Sequence, residues 1–200
     1  GVDCVNGAAG SFACNNIDLL AHMPLNDFSS RPSSANDIWG HVDLNTGDEY
    51  ALIGLRNGVA IVNVTNPEDP QEVGTIRGLN STWRDIKVYQ YFDESINAWQ
   101  AYAYATIDGA SDFVTIINLN QLPNSVSLVE KNTVVTKAHN VYISNVDHTL
   151  NITLPGLTPS LQLIGSNRFG GAFHSYSLAT PSTLTGLANN YFGSGCLLYT

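Results

Sequence analysis

Three short stretches of the chain share one pattern: Asn36-Asp37-Ile38-Trp39, Arg84-Asp85-Ile86-Lys87 and His139-Asn140-Val141-Tyr142. We call these stretches the repeated phrase. Each copy places Asp or Asn before a branched apolar residue, and each opens a segment of about 50 residues. The segments share one predicted order of elements: strand, strand, tight turn, strand, a corner that contains proline, and a final strand.

The first segment shows this order most clearly. Apolar, β-branched runs predict its strands at 37–43, 50–55, 59–64 and 71–76. Asn57-Gly58, between the second and third of these strands, is the strongest short-range signal for a β-hairpin. No segment of useful length has the period of an amphipathic helix.

The other two segments follow the same plan with more variation. In the second, strands are predicted at 85–91, 101–107, 113–119 and 125–130, with a hairpin turn at 108–112. The third has strands at 140–146, 161–166 and 172–178, with a hairpin at Gly170-Gly171. A long insertion that holds Pro155 and Pro159 separates its first two strands.

Repetition at this period, with four strands in each repeat, is the sequence signature of β-propeller blades. We therefore predict an all-β β-propeller with three visible four-stranded blades at about 36–78, 83–132 and 138–192, behind an N-terminal leader of residues 1–35. Propellers have about four to eight blades, so three leave the ring incomplete. Because an open arc exposes sheet faces and strand edges, we expect further blades beyond residue 200 or a second copy of the chain.

The composition narrows the possible partners. The net charge is −9, and only eight Lys and Arg residues are present, which argues against nucleic acid as a partner. No apolar run reaches the ~18 residues that a membrane-spanning helix needs. The hydrophobic fraction of 44% is typical of a folded globular chain.

The three cysteines indicate an oxidising compartment. Cys4 and Cys14 lie close together in a loop-like stretch and predict a disulfide, with two free thiols as the alternative. Cys196 is left unpaired, which predicts a partner further along a longer chain. In a secreted glycoprotein, three sequons would be candidate glycosylation sites, at Asn63, Asn80 and Asn151.

The repeated phrase also predicts a site. The innermost strands of a propeller run along its central channel, so Asp37, Asp85 and Asn140 should face one another around the axis. Gathered oxygen ligands suit a hard cation such as Ca²⁺, with His139 as a less favoured ligand or acid–base group. Alternatively, these side chains bond backbone N–H groups and fix the start of each blade, with Arg84 neutralising Asp85.

Six stretches together are typical of one known family: Cys14-Asn15-Asn16-Ile17-Asp18-Leu19-Leu20, Asn36-Asp37-Ile38-Trp39-Gly40, Glu49-Tyr50-Ala51-Leu52-Ile53-Gly54-Leu55, Gly58-Val59-Ala60-Ile61-Val62-Asn63-Val64-Thr65-Asn66-Pro67, Trp83-Arg84-Asp85-Ile86-Lys87-Val88-Tyr89 and Ala138-His139-Asn140-Val141. On these stretches the chain resembles the extracellular choice-of-anchor B family, whose propeller is built from LVIVD-type repeats. The resemblance covers residues 4 to about 196 and is strong up to residue 145. It implies a secreted or surface-anchored propeller with a variable C-terminal anchor and no established activity.

The sequence contains no recognisable catalytic motif. The sequence lacks a Gly-x-Ser-x-Gly elbow, a phosphate-binding loop, a dinucleotide fingerprint and histidines at zinc-ligand spacing. We therefore expect a non-enzymatic interaction or structural protein at a cell surface or in an extracellular assembly, with a protein or glycan partner. The alternative is a metal-dependent propeller hydrolase, similar in layout to lactonases and esterases, that uses the axial residues Asp37, Asp85, Asn140 and His139.

Overall fold

A computed structural model describes residues 1–132, 135–166 and 172–191 of the chain. Within these residues the protein is all-β, as predicted, and its only helix is a single 3₁₀ turn at Leu25–Asp27. In the same residues no helix is long and apolar enough to span a membrane. The predicted hairpin at Gly170-Gly171 and Cys196 both lie outside the described residues.

The N-terminal leader is held together locally and tied to the first sheet. Strands β1 (Ala8–Ala9) and β2 (Phe12–Ala13) form a small hairpin. The predicted disulfide joins Cys4 to Cys14 beside this hairpin. Further along, the backbone N–H and the hydroxyl of Ser29 both donate to the Glu72 carboxylate of the first sheet, each over 2.7 Å. The leader therefore packs against the first sheet.

The first sheet is an antiparallel meander of four strands. They are β3 (Ala35–Val42), β4 (Glu49–Leu55), β5 (Gly58–Asn63) and β6 (Gln71–Arg77), paired in chain order. The Asn57-Gly58 hairpin forms between β4 and β5, as predicted. At Gly58 the neighbouring backbone comes so close that a Cβ would collide with the carbonyl oxygen of Ile76, so glycine is required there.

The second sheet repeats this meander and is then extended. Its four principal strands are β7 (Ile86–Asp93), β8 (Ala98–Ala105), β9 (Val114–Asn118) and β10 (Ser127–Asn132). The sequence predicted a hairpin turn at 108–112, but residues 106–113 form a longer irregular loop instead. Its acidic side chains are held by partners outside the loop: Asp108 by His139 and Asp112 by Lys131.

The third sheet again contains four strands in a meander. They are β11 (Asn140–Ser144), β14 (Ser160–Ser166), β15 (Ala172–Ser177) and β16 (Thr185–Tyr191). Between β11 and β14 the chain leaves this sheet as residues 145–159, which we call the crossing segment. It contains two short strands, β12 (Val146–Asp147) and β13 (Ile152–Thr153).

The crossing segment is the largest departure from the predicted plan. Strand β13 pairs in parallel with β7 at Ile152 and Gln90, so the third repeat adds two strands to the second sheet. Its Asn151 also reaches the first sheet, where it accepts a hydrogen bond from Trp39 Nε1 and donates one to the Gly40 carbonyl, each 3.0 Å long. One segment therefore connects all three sheets.

The sheets pack face to face in chain order. Apolar side chains of the first sheet, such as Leu52 and Ile61, share a buried cluster with Ile86 and Val88 of the second. A separate buried cluster joins the second and third sheets through Tyr104, Ile116, Val141, Leu161 and Leu163. The second sheet therefore lies between the other two. Its first strand, β7, contacts β3 and β11, which are the first strands of the other two sheets.

Candidate functional site

The three copies of the repeated phrase meet at one cavity. It has a volume of about 300 Å³ and is lined by Asn36, Asp37, Trp83, Arg84, Asp85, His139 and Asn140. We call it the axial cavity. The structure therefore brings together all four residues that the sequence nominated as axial ligands, although they are spread over more than one hundred positions of the chain.

Each aspartate of the phrase binds the backbone of the next repeat. Asp37 Oδ2 accepts a hydrogen bond of 2.9 Å from the N–H of Ile86, and Asp85 Oδ2 accepts one of 2.8 Å from the N–H of Val141. Ile86 and Val141 occupy the same position of the phrase. The two hydrogen bonds are therefore equivalent. Each one fixes the first strand of a sheet to the sheet that precedes it in the chain. This geometry favours the structural alternative for these carboxylates.

Lys87 supplies the positive charge in this cluster. Its ammonium group lies 2.6 Å from Asp85 Oδ1 and 4.0 Å from the centre of the Trp39 ring, and both charged side chains are largely buried. A cation over an indole face is stabilised by the ring quadrupole as well as by the carboxylate. Lys87 carries no motif of its own, so the sequence did not indicate it as a site residue.

Arg84 does not have the role expected of it. Its side chain is buried and, among the described residues, forms no ion pair with Asp85. Its guanidinium instead donates to the carbonyls of Leu55 and Leu79, at 2.8 and 2.5 Å. Burial lowers its pKa, and the nearby charge of Asp112 opposes that shift. Arg84 therefore braces the loop after the first sheet, and the prediction that it neutralises Asp85 was wrong.

The electrostatics of the axial cavity bear on the calcium prediction. Burial raises the pKa of Asp37, the Ile86 N–H opposes this shift, and the negative charge of Asp85 adds to it. Two carboxylates and the Asn140 amide are ligands that Ca²⁺ prefers, but Lys87 already pairs with one of the carboxylates. Within the described part of the chain, no three His, Cys, Asp or Glu side chains are placed to hold a metal. Calcium binding here stays a prediction.

His139 is oriented by a carboxylate that sequence analysis had assigned to a turn. Its Nδ1 lies 2.8 Å from Asp108 Oδ2, and both side chains are partly exposed. Thr106 also donates to the carbonyl of His139 over 3.2 Å. A His–Asp pair of this kind can hold or move a proton. The pairing spans 31 positions and has no signal in the local sequence.

An aromatic strip lies beside the axial cavity. Trp39, Lys87 and Tyr142 each follow the Asp or Asn of their phrase by two residues, and the period of two in a strand places them on the same face as that residue. His148 of the crossing segment packs between the two aromatic rings, with ring centres 5.7 Å from Trp39 and 5.4 Å from Tyr142. Strand periodicity could have identified three members of this strip, but not His148.

The three sequons differ in accessibility. Asn80 is exposed, and Asn63 is half-buried with its side-chain oxygen bonded to the Thr65 N–H. Asn151 is fully buried, and both atoms of its amide are engaged by the first sheet. On the folded chain Asn80 is therefore the most accessible of the three, while Asn151 offers no accessible amide nitrogen.

Comparison with known proteins adds no identity to these observations. Neither a family model, nor a curated protein, nor a solved structure matches the chain.

Proposed function

We propose that the chain forms part of an extracellular β-propeller of the choice-of-anchor B type, with a non-enzymatic interaction or structural role. The observation that carries this proposal is the repeated hydrogen bond from Asp37 to Ile86 and from Asp85 to Val141. This hydrogen bond gives the aspartates of the repeated phrase a structural role. It also joins successive four-stranded meanders by the same contact, as expected of propeller blades.

The disulfide and the sequence composition support an extracellular location. A disulfide between Cys4 and Cys14 is favoured in oxidising compartments and is rare in the cytosol. The exposed sequon at Asn80 and the low content of charged residues, 12%, agree with an extracellular surface. These features support secretion or display at a cell surface.

The outer face of the first sheet, which the leader covers at Ala60 and Val62, is open at Ile38, and this open part supports an assembly role. Ile86 and Val141 are 0% and 2% exposed because a preceding sheet covers them, whereas Ile38, at the same position of the first phrase, is 62% exposed. Beside Ile38 lies a groove of about 510 Å³, lined by Trp39, Gly40, His41, Tyr50 and other residues. A further repeat, or a second copy of the chain, would cover this face and bury its apolar surface.

Self-association tests this proposal. We expect sedimentation velocity to show that the 200-residue chain associates as its concentration rises, and that Ile38→Glu shifts it toward monomer. The matched control is Ile96→Glu, since Ile96 is 56% exposed but lies in the turn after β7, away from the open face. A monomer at every concentration, or equal effects of the two substitutions, would contradict an assembly role for this face.

A hydrolase that acts at the axial cavity is the second candidate, and the His139–Asp108 pair favours it. A base held by a carboxylate at the edge of a polar cavity could activate water. The test is a panel of lactones and carboxylic esters, with His139→Gln as the inactive control. Hydrolysis that His139→Gln abolishes would favour this candidate over the structural one, and a panel without turnover would remove it.

A further inference from the structure

A second polar cavity lies between the first and second sheets, toward the other end of β3 from the repeated phrase. It has a volume of about 200 Å³, and its polar lining includes His41, Asp43, Asn45, Gln90, Trp99 and Asn120. We call it the interior cavity. Neither the repeated phrase nor the proposed function uses these residues.

Two buried side chains of this cavity have polar atoms without a hydrogen-bond partner. His41 is 3% exposed and its Nδ1 is unpaired; Gln90 is 1% exposed and its Oε1 is unpaired. The orientation of the Gln90 amide is well determined, because its nitrogen donates to the carbonyls of Val42 and Leu150, at 2.9 and 2.5 Å. Its oxygen is therefore the atom left over. Buried unpaired groups are rare and point to an ordered water or ion.

Asp43 adds negative charge to the same cavity. Its side chain is buried, and its Oδ1 accepts a hydrogen bond from the N–H of Asn45 over 2.8 Å. Among the described residues it forms no ion pair, and neither Lys nor Arg lines the cavity. Buried charges are normally paired or bound to a metal, so this carboxylate lacks a cation.

We propose that the interior cavity binds a divalent transition-metal cation of the zinc type, with His41 Nδ1 as the nitrogen ligand and oxygens of Asp43 and Gln90 as further ligands. A set of one imidazole nitrogen and two oxygens suits such a cation better than Ca²⁺ or Mg²⁺. His41 lies near the end of β3 and Asp43 directly follows its last residue, Val42, and both line this cavity. The cavity also has room for waters that complete the coordination, at about 30 Å³ each.

A cation fits this cavity better than water alone. Water alone could satisfy the unpaired atoms, but it would leave the Asp43 carboxylate without a counter-charge.

The experiment titrates the metal-free 200-residue chain with Zn²⁺ in a calorimeter. We expect one Zn²⁺ per chain and a rise in melting temperature, and we expect His41→Gln and Asp43→Asn each to weaken binding about tenfold or more. Asp43→Asn keeps an oxygen for the Asn45 N–H and serves if His41→Gln does not fold. The matched control is His22→Gln, because His22 is exposed on the leader and outside the cavity.

A second readout locates the metal. Trp99 lines the interior cavity, whereas Trp39 and Trp83 do not, so bound Co²⁺ should quench a component of the fluorescence that Trp99→Phe removes. The proposal is overturned if no cation binds with a stoichiometry of one. It is also overturned if binding is unchanged in both cavity variants, or if His22→Gln alone abolishes it.

Discussion

At the scale of single residues, Asp85 connects two neighbouring repeats and pairs with the ammonium group of Lys87. Its Oδ2 accepts hydrogen bonds from the Val141 N–H and from the Asn140 amide, and its Oδ1 pairs with Lys87. Its counterpart Asp37 makes the same contact to the backbone of the next repeat but forms no ion pair among the described residues. Asp85 is therefore the more informative position for mutagenesis.

We expect Asp85→Ala to lower the free energy of unfolding by about 2–4 kcal/mol, because it leaves Lys87 buried without its partner and the Val141 N–H without its acceptor. Asp85→Asn keeps the acceptor and should cost less. Urea denaturation followed by circular dichroism measures both. Asp108→Ala, which removes a partly exposed pair, is the control and should cost less than about 1 kcal/mol. Equal losses for Asp85→Ala and Asp108→Ala would contradict the structural role.

The same position tests the calcium prediction. If Ca²⁺ is held by Asp37, Asp85 and Asn140, removal of calcium with a chelator lowers the melting temperature of the wild-type chain, and calcium restores it. Asp85→Ala should then abolish this response. Because the interior cavity is proposed to hold a zinc-type cation, the response is measured on the zinc-free chain, so that the two sites are separated. A wild-type melting temperature that calcium leaves unchanged would rule out the axial metal.

At the scale of elements, the crossing segment determines how the three repeats fit together. Its Asn151 binds Trp39 and Gly40 of the first sheet, and the Asn151 carbonyl accepts from the Gln90 N–H over 2.8 Å. The interaction between Trp39 and Asn151 joins residues 112 positions apart. The local sequence could not predict this hydrogen bond, because proline and asparagine in an insertion are also typical of an exposed loop.

Asn151→Ala tests this element, and the segment provides its own matched control. Asn145 and Asn151 both have positive φ, 61° and 59°, so alanine causes similar backbone strain at each. Only Asn151 is buried, whereas the amide of exposed Asn145 donates to the Thr158 carbonyl. We expect Asn151→Ala to lose about 1–3 kcal/mol more stability than Asn145→Ala. Chemical denaturation measures the difference, and equal losses would show that the crossing segment does not brace the first sheet.

At the scale of the whole molecule, the leader is attached to the sheets by a contact that depends on pH. Burial would raise the pKa of Glu72, but hydrogen bonds from Thr75 and Ser29 outweigh it and hold the pKa below its ordinary value of 4.5. A carboxyl with a lowered pKa stabilises the folded state above the unfolded pKa. That stability is lost as the pH falls through the lower, folded pKa.

The expected result is a difference between wild type and Glu72→Gln that depends on pH. Near neutral pH the wild type should be more stable by up to about 1 kcal/mol, a small value because Glu72 is only partly buried. The difference should disappear when the pH is lowered well below 4.5. Urea denaturation at the two pH values measures it. A difference that persists at low pH would show that the contact does not depend on the charge of Glu72.

The sequence by itself determined the local structure of this protein. Apolar, β-branched runs and the Asn57-Gly58 signal located most strands of the three sheets, but not β12, β13 or β16. The spacing of Cys4 and Cys14 indicated the disulfide. Alignment of the repeated phrase selected Asp37 and Asp85. These features depend on residues close together in the chain or on a repeated pattern, and the linear sequence shows both.

Only the tertiary structure decided which atoms those residues bind. It assigned Lys87 to Asp85 in place of Arg84, His139 to Asp108, and Asn151 to Trp39. It also placed His41, Asp43 and Gln90 around one cavity with unpaired polar atoms. The physical reason is that side chains of different repeats meet only after the sheets have packed, and burial then determines which charges and amides must find partners.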